Sequence, residues 1–206
     1  MQITLENIGI KFNTEWIFRN VTFTFEENSA TNILGRNGSG KSTLLQIIAG
    51  NLHPTTGNAR YLHSGKQIED IHLFRYLAIV APYQELIEEF TLREMVEFHF
   101  SFKRYLSGFN LESASSLLGF QVGKYKQIRQ FSSGMKQRLK LVLALLSDVP
   151  LLLLDEPTMN LDAAGIEWYQ QMIEDLGKDR TLVICSNLHK TESGFAQKQL
   201  MIEDYK

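Results

Sequence analysis

The sequence predicts an α/β fold with a mostly parallel sheet, and three observations carry that prediction. Leu151–Leu154 and Thr181–Ser186 are apolar runs of strand length, as expected of strands buried on both faces. Apolar residues at helical spacing around Ala164–Leu176 lie between them, and strands alternating with helices imply parallel pairing. A third short strand, Ala30–Leu34, runs directly into a glycine-rich loop that a helix follows.

The remaining elements follow from periodicity. Ile3, Leu5, Ile8 and Ile10, then Val21, Phe23 and Phe25, show the near period of two expected of half-buried strands. Two such strands flank Asn13–Asn20, which reads as a β-hairpin region. Ser42–Ala49 has helical spacing and stops at Gly50, a common helix terminator. Pro54-Thr-Thr-Gly57 reads as a turn and Leu77–Val80 as another buried strand. From Thr91 the period turns helical, and Thr91 with Glu94 has capping-box spacing. Helical patterns continue over 92–145, with breaks around Gly108–Asn110 and Gly119–Gly123. There is no internal repeat, low-complexity tract or coiled-coil heptad pattern.

The bulk properties exclude several classes. A chain of 206 residues fits one domain, with room for a small inserted subdomain. A formal charge of −2 gives no global positive field to recruit nucleic acid or anionic lipid. No nucleic-acid partner is expected. No apolar run approaches the ~18 residues of a membrane span; the longest, Leu141–Leu146 and Val149–Leu154, are separated by Ser147 and Asp148. The first twelve residues alternate apolar and polar side chains, unlike a secretory signal. The single cysteine, Cys185, lies in an apolar run and reads as a small buried hydrophobe in a reducing compartment. A cytoplasmic location is expected, with any membrane association made through a partner.

Two segments carry chemistry on their own. Gly35-Arg36-Asn37-Gly38-Ser39-Gly40-Lys41-Ser42 matches G-x-x-x-x-G-K-[ST]. Its glycines let successive backbone N–H groups turn inward around phosphates, helped by the positive end of the following helix. Lys41 is expected to reach the β- and γ-phosphates, and the Ser42 hydroxyl to ligate Mg²⁺. Leu151–Asp155 is an apolar strand ending in a carboxylate, where ligands bind in open α/β sheets. Asp155 is expected to hold Mg²⁺, directly or through water, and Glu156 to polarise the attacking water.

What narrows the class is Phe131-Ser-Ser-Gly-Met135-Lys-Gln-Arg138, about twenty residues before that strand. It resembles the LSGGQ signature of ABC-type ATPases, with Phe131, Ser133 and Met135 departing from the pattern and Ser132 and Gly134 keeping it. By itself the segment also reads as an ordinary helix start, with Ser132 or Ser133 as cap. Gln84, after one strand and before the helical segment, matches the Q-loop of that family, and Met159-Asn-Leu-Asp162 looks like its D-loop. Phe12, 29 residues before Lys41, lies where the family stacks an aromatic ring on adenine; Trp16 is the alternative. The resemblance covers essentially the whole chain.

The resemblance implies an ABC ATPase fold: a P-loop NTPase core over 1–88 and 141–206, with an N-terminal antiparallel β subdomain and a helical subdomain over 89–140. It implies ATP and Mg²⁺ as ligands. ATP would be held by Phe12, residues 35–42 and Thr43, and the metal by Ser42, Asp155 and Gln84. It also implies a head-to-tail dimer with a second copy or a homologous cassette. There Ser132, Ser133, Gly134 and Met135 would close over ATP on the other chain, and Asp162 would belong to the D-loop. The switch position, usually histidine, falls on Asn187, with His189 as alternative. The leading expectation is the ATP-hydrolysing subunit of a membrane transporter. In brevity and signature it is similar to the short haem-exporter ATPase group, with separate transmembrane permease chains. A soluble ABC ATPase acting on ribosomes or DNA, or a non-hydrolysing ATP-binding module, are the alternatives.

Overall fold

The computed structural model describes residues 1–123, 125–187 and 194–206. Two sheets lie at its centre. An antiparallel sheet has the order β2-β1-β4-β5, from β1 (Gln2–Phe12), β2 (Glu15–Phe25), β4 (Thr56–His63) and β5 (Lys66–Ile68). A parallel sheet has the order β6-β7-β8-β3-β9, from β3 (Ala30–Leu34), β6 (Leu77–Val80), β7 (Leu151–Asp155), β8 (Thr181–Ser186) and β9 (Lys198–Met201). This is the α/β architecture expected, with the antiparallel sheet at the N-terminal side.

The alternation of side chains along the parallel strands divides the interior in two. Leu151, Leu153, Val183, Cys185 and Ile33 face one way and pack with β1, β2 and α1 (Lys41–Ile48). Leu152, Leu154, Leu182 and Ile184 face the other way and pack with the helices. Those helices are α2 (Leu92–Phe102), α3 (Leu111–Leu117), α4 (Ser133–Leu145) and α5 (Ala163–Leu176). Every residue of β7 and β8 is buried, which explains why they read as continuous apolar runs. The expected capping box forms: Glu94 N donates to Thr91 Oγ1, and Thr91 N donates to Glu94 Oε2.

Several boundaries differ from expectation. The hairpin region narrows to a turn at Asn13 and Thr14, because β2 already starts at Glu15 and pairs Phe12 with Glu15. The turn after Pro54 is shorter too. Strand β4 begins at Thr56, and Gly57 sits at φ +77 beside a register shift against β1. Strands β4, β5 and β9 have no alternating pattern in the sequence; they are held by pairing to β1, β4 and β3 respectively. Among the described residues, no helix is long and apolar enough to cross a membrane.

Candidate active site

Strand order decides where the site lies. β7, β8 and β3 are neighbours and parallel, so the residues after their carboxyl ends come together: Asp155 and Glu156, Asn187, and loop 35–40. Open α/β sheets bind ligands at this edge.

The loop is shaped by close approach. Gly40 caps α1 at φ +106, and a Cβ there would lie 2.8 Å from Ile17 Cγ2 and 3.0 Å from Phe18 Cδ1. Only glycine fits both the conformation and the space. A pocket of about 270 Å³ opens over the loop, lined by residues 37–43 together with Ile17 and Glu156.

Lys41 is 5% exposed. Its ammonium donates to Gly35 O at 2.8 Å, Arg36 O at 3.1 Å and Asn187 Oδ1 at 2.6 Å. Asn187 in turn donates from Nδ2 to Glu156 Oε1 at 2.7 Å. The amide thus bridges the loop lysine and the carboxylate, and the ammonium on one side fixes which way it points. Glu156 has φ +46, a left-handed conformation costly for a residue with a Cβ. Its N–H donates to Cys185 O at 3.0 Å and its carbonyl accepts from Met159 N at 3.0 Å, so the turn is pinned on both sides.

Asp155 is buried at the end of β7, in register with Cys185. The Cys185 thiol donates to Lys41 O at 3.6 Å, which makes Cys185 the buried residue expected and sets the strand end against α1. Tyr83, on the same rim, accepts from Gln46 Nε2. Burial first, then the nearby Asp155 carboxylate, pushes its phenol up to about 12, so it stays a neutral hydroxyl at physiological pH. Among the described residues no three His, Cys, Asp or Glu side chains cluster as a metal cage. The Ser42 hydroxyl and the Asp155 carboxylate offer hard oxygen donors only. That suits Mg²⁺, which keeps waters and takes phosphate oxygens rather than a full protein cage.

Other candidates lie elsewhere. Gln84 is outside this pocket: its Oε1 accepts from Ala81 N at 3.1 Å and its own N–H donates to Ala81 O at 3.1 Å. Phe12 is 50% exposed at the end of β1, and Trp16 lies against Lys11 and Arg19, each cation 5.6 Å from its ring centre. Neither ring lines the pocket. Ile17 does, and sequence reasoning missed it; no local pattern marks it, since the contact is made by the packing of β2 on Gly40. His189 lies outside the described residues.

Residues 132–135 line a second cavity of about 340 Å³ with Arg138, Gly119, Phe120 and residues 160–162. Ser132 caps α4, its hydroxyl accepting from Met135 N at 3.2 Å, so the helix-cap reading of this segment is correct as far as it goes. Gly134 is needed for another reason: a Cβ there would sit 2.8 Å from Asn160 O. Asp162 caps α5, accepting from Gly165 N at 2.7 Å. This cavity shares no lining residue with the one over the phosphate loop.

The family model for ABC transporters matches residues 18–159, a stretch that holds the loop, the 131–138 segment, Asp155 and Glu156. The chain belongs to the ABC transporter family, as an ATP-binding and ATP-hydrolysing cassette. Among its relatives is the cytochrome c biogenesis ATP-binding export protein CcmA of Agrobacterium fabrum, 29% identical, with 86% of this chain and 85% of the relative covered. The zinc import ATP-binding protein ZnuC of Pasteurella multocida is 33% identical over 84% of this chain and 61% of its own length. In fold the cassette is similar to a dimeric post-hydrolysis state of the ATP-binding cassette MJ0796 bound to ADP and Pi. The TM-score is 0.80 and the identity 24%, over 98% of this chain and 95% of that one.

Proposed function

We propose that this cassette powers a membrane transporter as one half of an ATP-closed, head-to-tail dimer. The separation of its two cavities carries the reading. The phosphate loop with Glu156 forms one and Ser132 with Gly134 the other, so a second cassette docked head to tail would bring one of each together. ATP would lie on residues 35–43 and Mg²⁺ on Ser42 and Asp155. Glu156 would polarise the attacking water, and Ser132 with Gly134 of the other chain would meet the γ-phosphate. Phosphoryl transfer asks for positioning and charge neutralisation more than covalent chemistry, and a site split between chains supplies both only on closure. ATP would take the place of Asn187 on Lys41, leaving the Asn187 amide to donate to a γ-phosphate oxygen, and Gln84 would be a further ligand of the metal.

The surface also supports a permease partner. A groove of about 510 Å³ runs between Leu77–Ile79, Gln84–Leu86 and the α2–α4 side. Phe74 (59% exposed) and Phe102 (73% exposed) stand at its rim. Apolar side chains left exposed together beside a groove suit a docking surface. Residues 89–140 would supply one wall of it, through Met95, His99, Phe102 and Lys103. The relatives named above serve export and import, so no direction is proposed.

With the protein tagged in its own host, most should sediment with washed membranes, and Phe102→Glu should release it while leaving ATP affinity unchanged. Wild-type protein found in the ribosome or nucleoid fraction instead would favour a soluble role. For the switch, Asn187→Ala loses a hydrogen bond to a charged group, about 1.5–3 kcal/mol, and should slow turnover by roughly ten- to a hundred-fold. Steady-state ATPase assays read this directly; unchanged turnover would remove Asn187 from the role.

A further inference from the structure

The base of the phosphate loop is held by a residue from a distant part of the chain. β9 runs parallel to β3 with Met201 opposite Leu34, so the residues after the two strands emerge side by side. After Leu34 comes Gly35; after Met201 comes a 3₁₀ turn, Ile202–Tyr205. Ile202 is fully buried, and a Cβ on Gly35 would lie 2.7 Å from its Cγ2. The turn is therefore packed directly against the start of the loop. From the same turn the Glu203 carboxylate accepts from Arg36 N at 3.1 Å, across 167 positions of sequence.

That N–H belongs to the peptide joining Gly35 and Arg36, and the other end of this peptide is the Gly35 carbonyl. The carbonyl accepts from Lys41 Nζ at 2.8 Å. In a trans peptide the N–H and C=O point in opposite directions. One flat group thus carries a carboxylate on one side and an ammonium on the other. Each charge polarises the peptide in the sense the other favours, so the two hydrogen bonds strengthen each other. Turning the peptide over would break both. The next carbonyl, Arg36 O, also accepts from Lys41 Nζ at 3.1 Å and from Ser39 N at 3.1 Å. Among the described residues the Arg36 N–H is the only hydrogen-bond partner of the Glu203 side chain, so no ion pair draws the carboxylate elsewhere.

We propose that Glu203 is a positioning residue of the ATP site: it fixes the Gly35–Arg36 peptide and through it holds Lys41 where the phosphates arrive. Glu203 touches neither ATP nor metal. It acts through one peptide group, and it governs how tightly nucleotide is held rather than the chemical step. The inference rests on the reading of residues 35–43 as the ATP site.

The test compares Glu203→Ala, which removes the acceptor, with Glu203→Gln, which keeps an acceptor oxygen without the charge. Both are made in the whole chain, beside Lys41→Ala. Glu203→Ala should raise the KM for ATP about five- to ten-fold, the size of one exposed hydrogen bond, with kcat within about two-fold. That split marks a contact serving ground state and transition state alike. Calorimetry with Mg-ADP, which is not turned over, should show the same loss, because ADP keeps the β-phosphate that Lys41 would meet. The Tm without nucleotide should match wild type, and Glu203→Gln should have a KM within about three-fold of wild type. Wild-type KM and ADP affinity in Glu203→Ala, beside a crippled Lys41→Ala, overturn this inference and leave the site reading standing. A lower Tm with KM and kcat impaired together, or no recovery by glutamine, also overturns it, because the turn would then be a structural prop. Undiminished nucleotide affinity in Lys41→Ala takes down the site reading, and this inference with it.

Discussion

Replacing Lys41 by alanine is expected to abolish tight ATP binding. The ammonium is buried inside the loop and already makes three hydrogen bonds with Gly35 O, Arg36 O and Asn187 Oδ1. A cation within ~4 Å of a phosphate oxygen contributes about 4 kcal/mol at an effective dielectric near 20, before desolvation is counted. That corresponds to roughly a thousand-fold in affinity. Alanine also strips those three acceptors of their donor, so the empty loop should lose its shape. Calorimetry with Mg-ATP reads the affinity directly. Equal affinity in mutant and wild type would end the assignment of this loop as the phosphate site.

The second large effect is expected at Glu156. Gln in its place can still accept from Asn187 Nδ2 through its own Oε1, and it asks nothing new of the backbone. ATP binding should survive. The lost carboxylate removes the base that polarises water, a contribution of about 10²–10⁴ in rate. If hydrolysis is what opens the dimer, Glu156→Gln should accumulate as an ATP-bound dimer, visible as a shift in gel filtration that appears only with Mg-ATP. Normal turnover would remove Glu156 from the role; slow turnover without a dimer would sink the closure mechanism instead.

The parts of the fold legible in the sequence are those where one physical demand dominates. β7 and β8 are buried on both faces and have no freedom to be polar. The loop at 35–42 must be bare backbone, so its glycines and lysine mark it. The capping box at Thr91 is a local bond network that needs only four residues. β4, by contrast, buries just Tyr61 fully, and its Thr-Gly-Asn-Ala-Arg stretch carries no period. It is a strand because β1 offers it an edge. β9 is short and half polar for the same reason, resting on β3.

The site divides in the same way. Lys41, Asp155 and Glu156 stand inside patterned segments. The link through Asn187 joins residues 146 and 31 positions away, a distance only the strand order β7-β8-β3 can close. Ile17 enters the pocket through packing of the hairpin, which periodicity cannot report. Gln84 stands outside the pocket, in a turn whose carbonyls accept from Lys140 on another element, a contact that no reading of residues 77–90 alone would contain.

The left-handed backbone at Glu156 shapes how this subunit can fail. A residue with a Cβ gives up about 1–2 kcal/mol to stand there, and glycine, which avoids that cost, loses about 0.5–1 kcal/mol in chain entropy. Glu156→Gly is therefore close to neutral for folding while removing the carboxylate. Damage at Lys41, by contrast, disturbs the loop as well as its function, and such a chain is easier for a cell to discard. A chain inactivated at 156 would fold, bind ATP, and compete for the same partners as its working copies. Because each proposed dimer draws a half-site from either chain, one such allele would spoil assemblies containing normal subunits, and its genetics would be dominant.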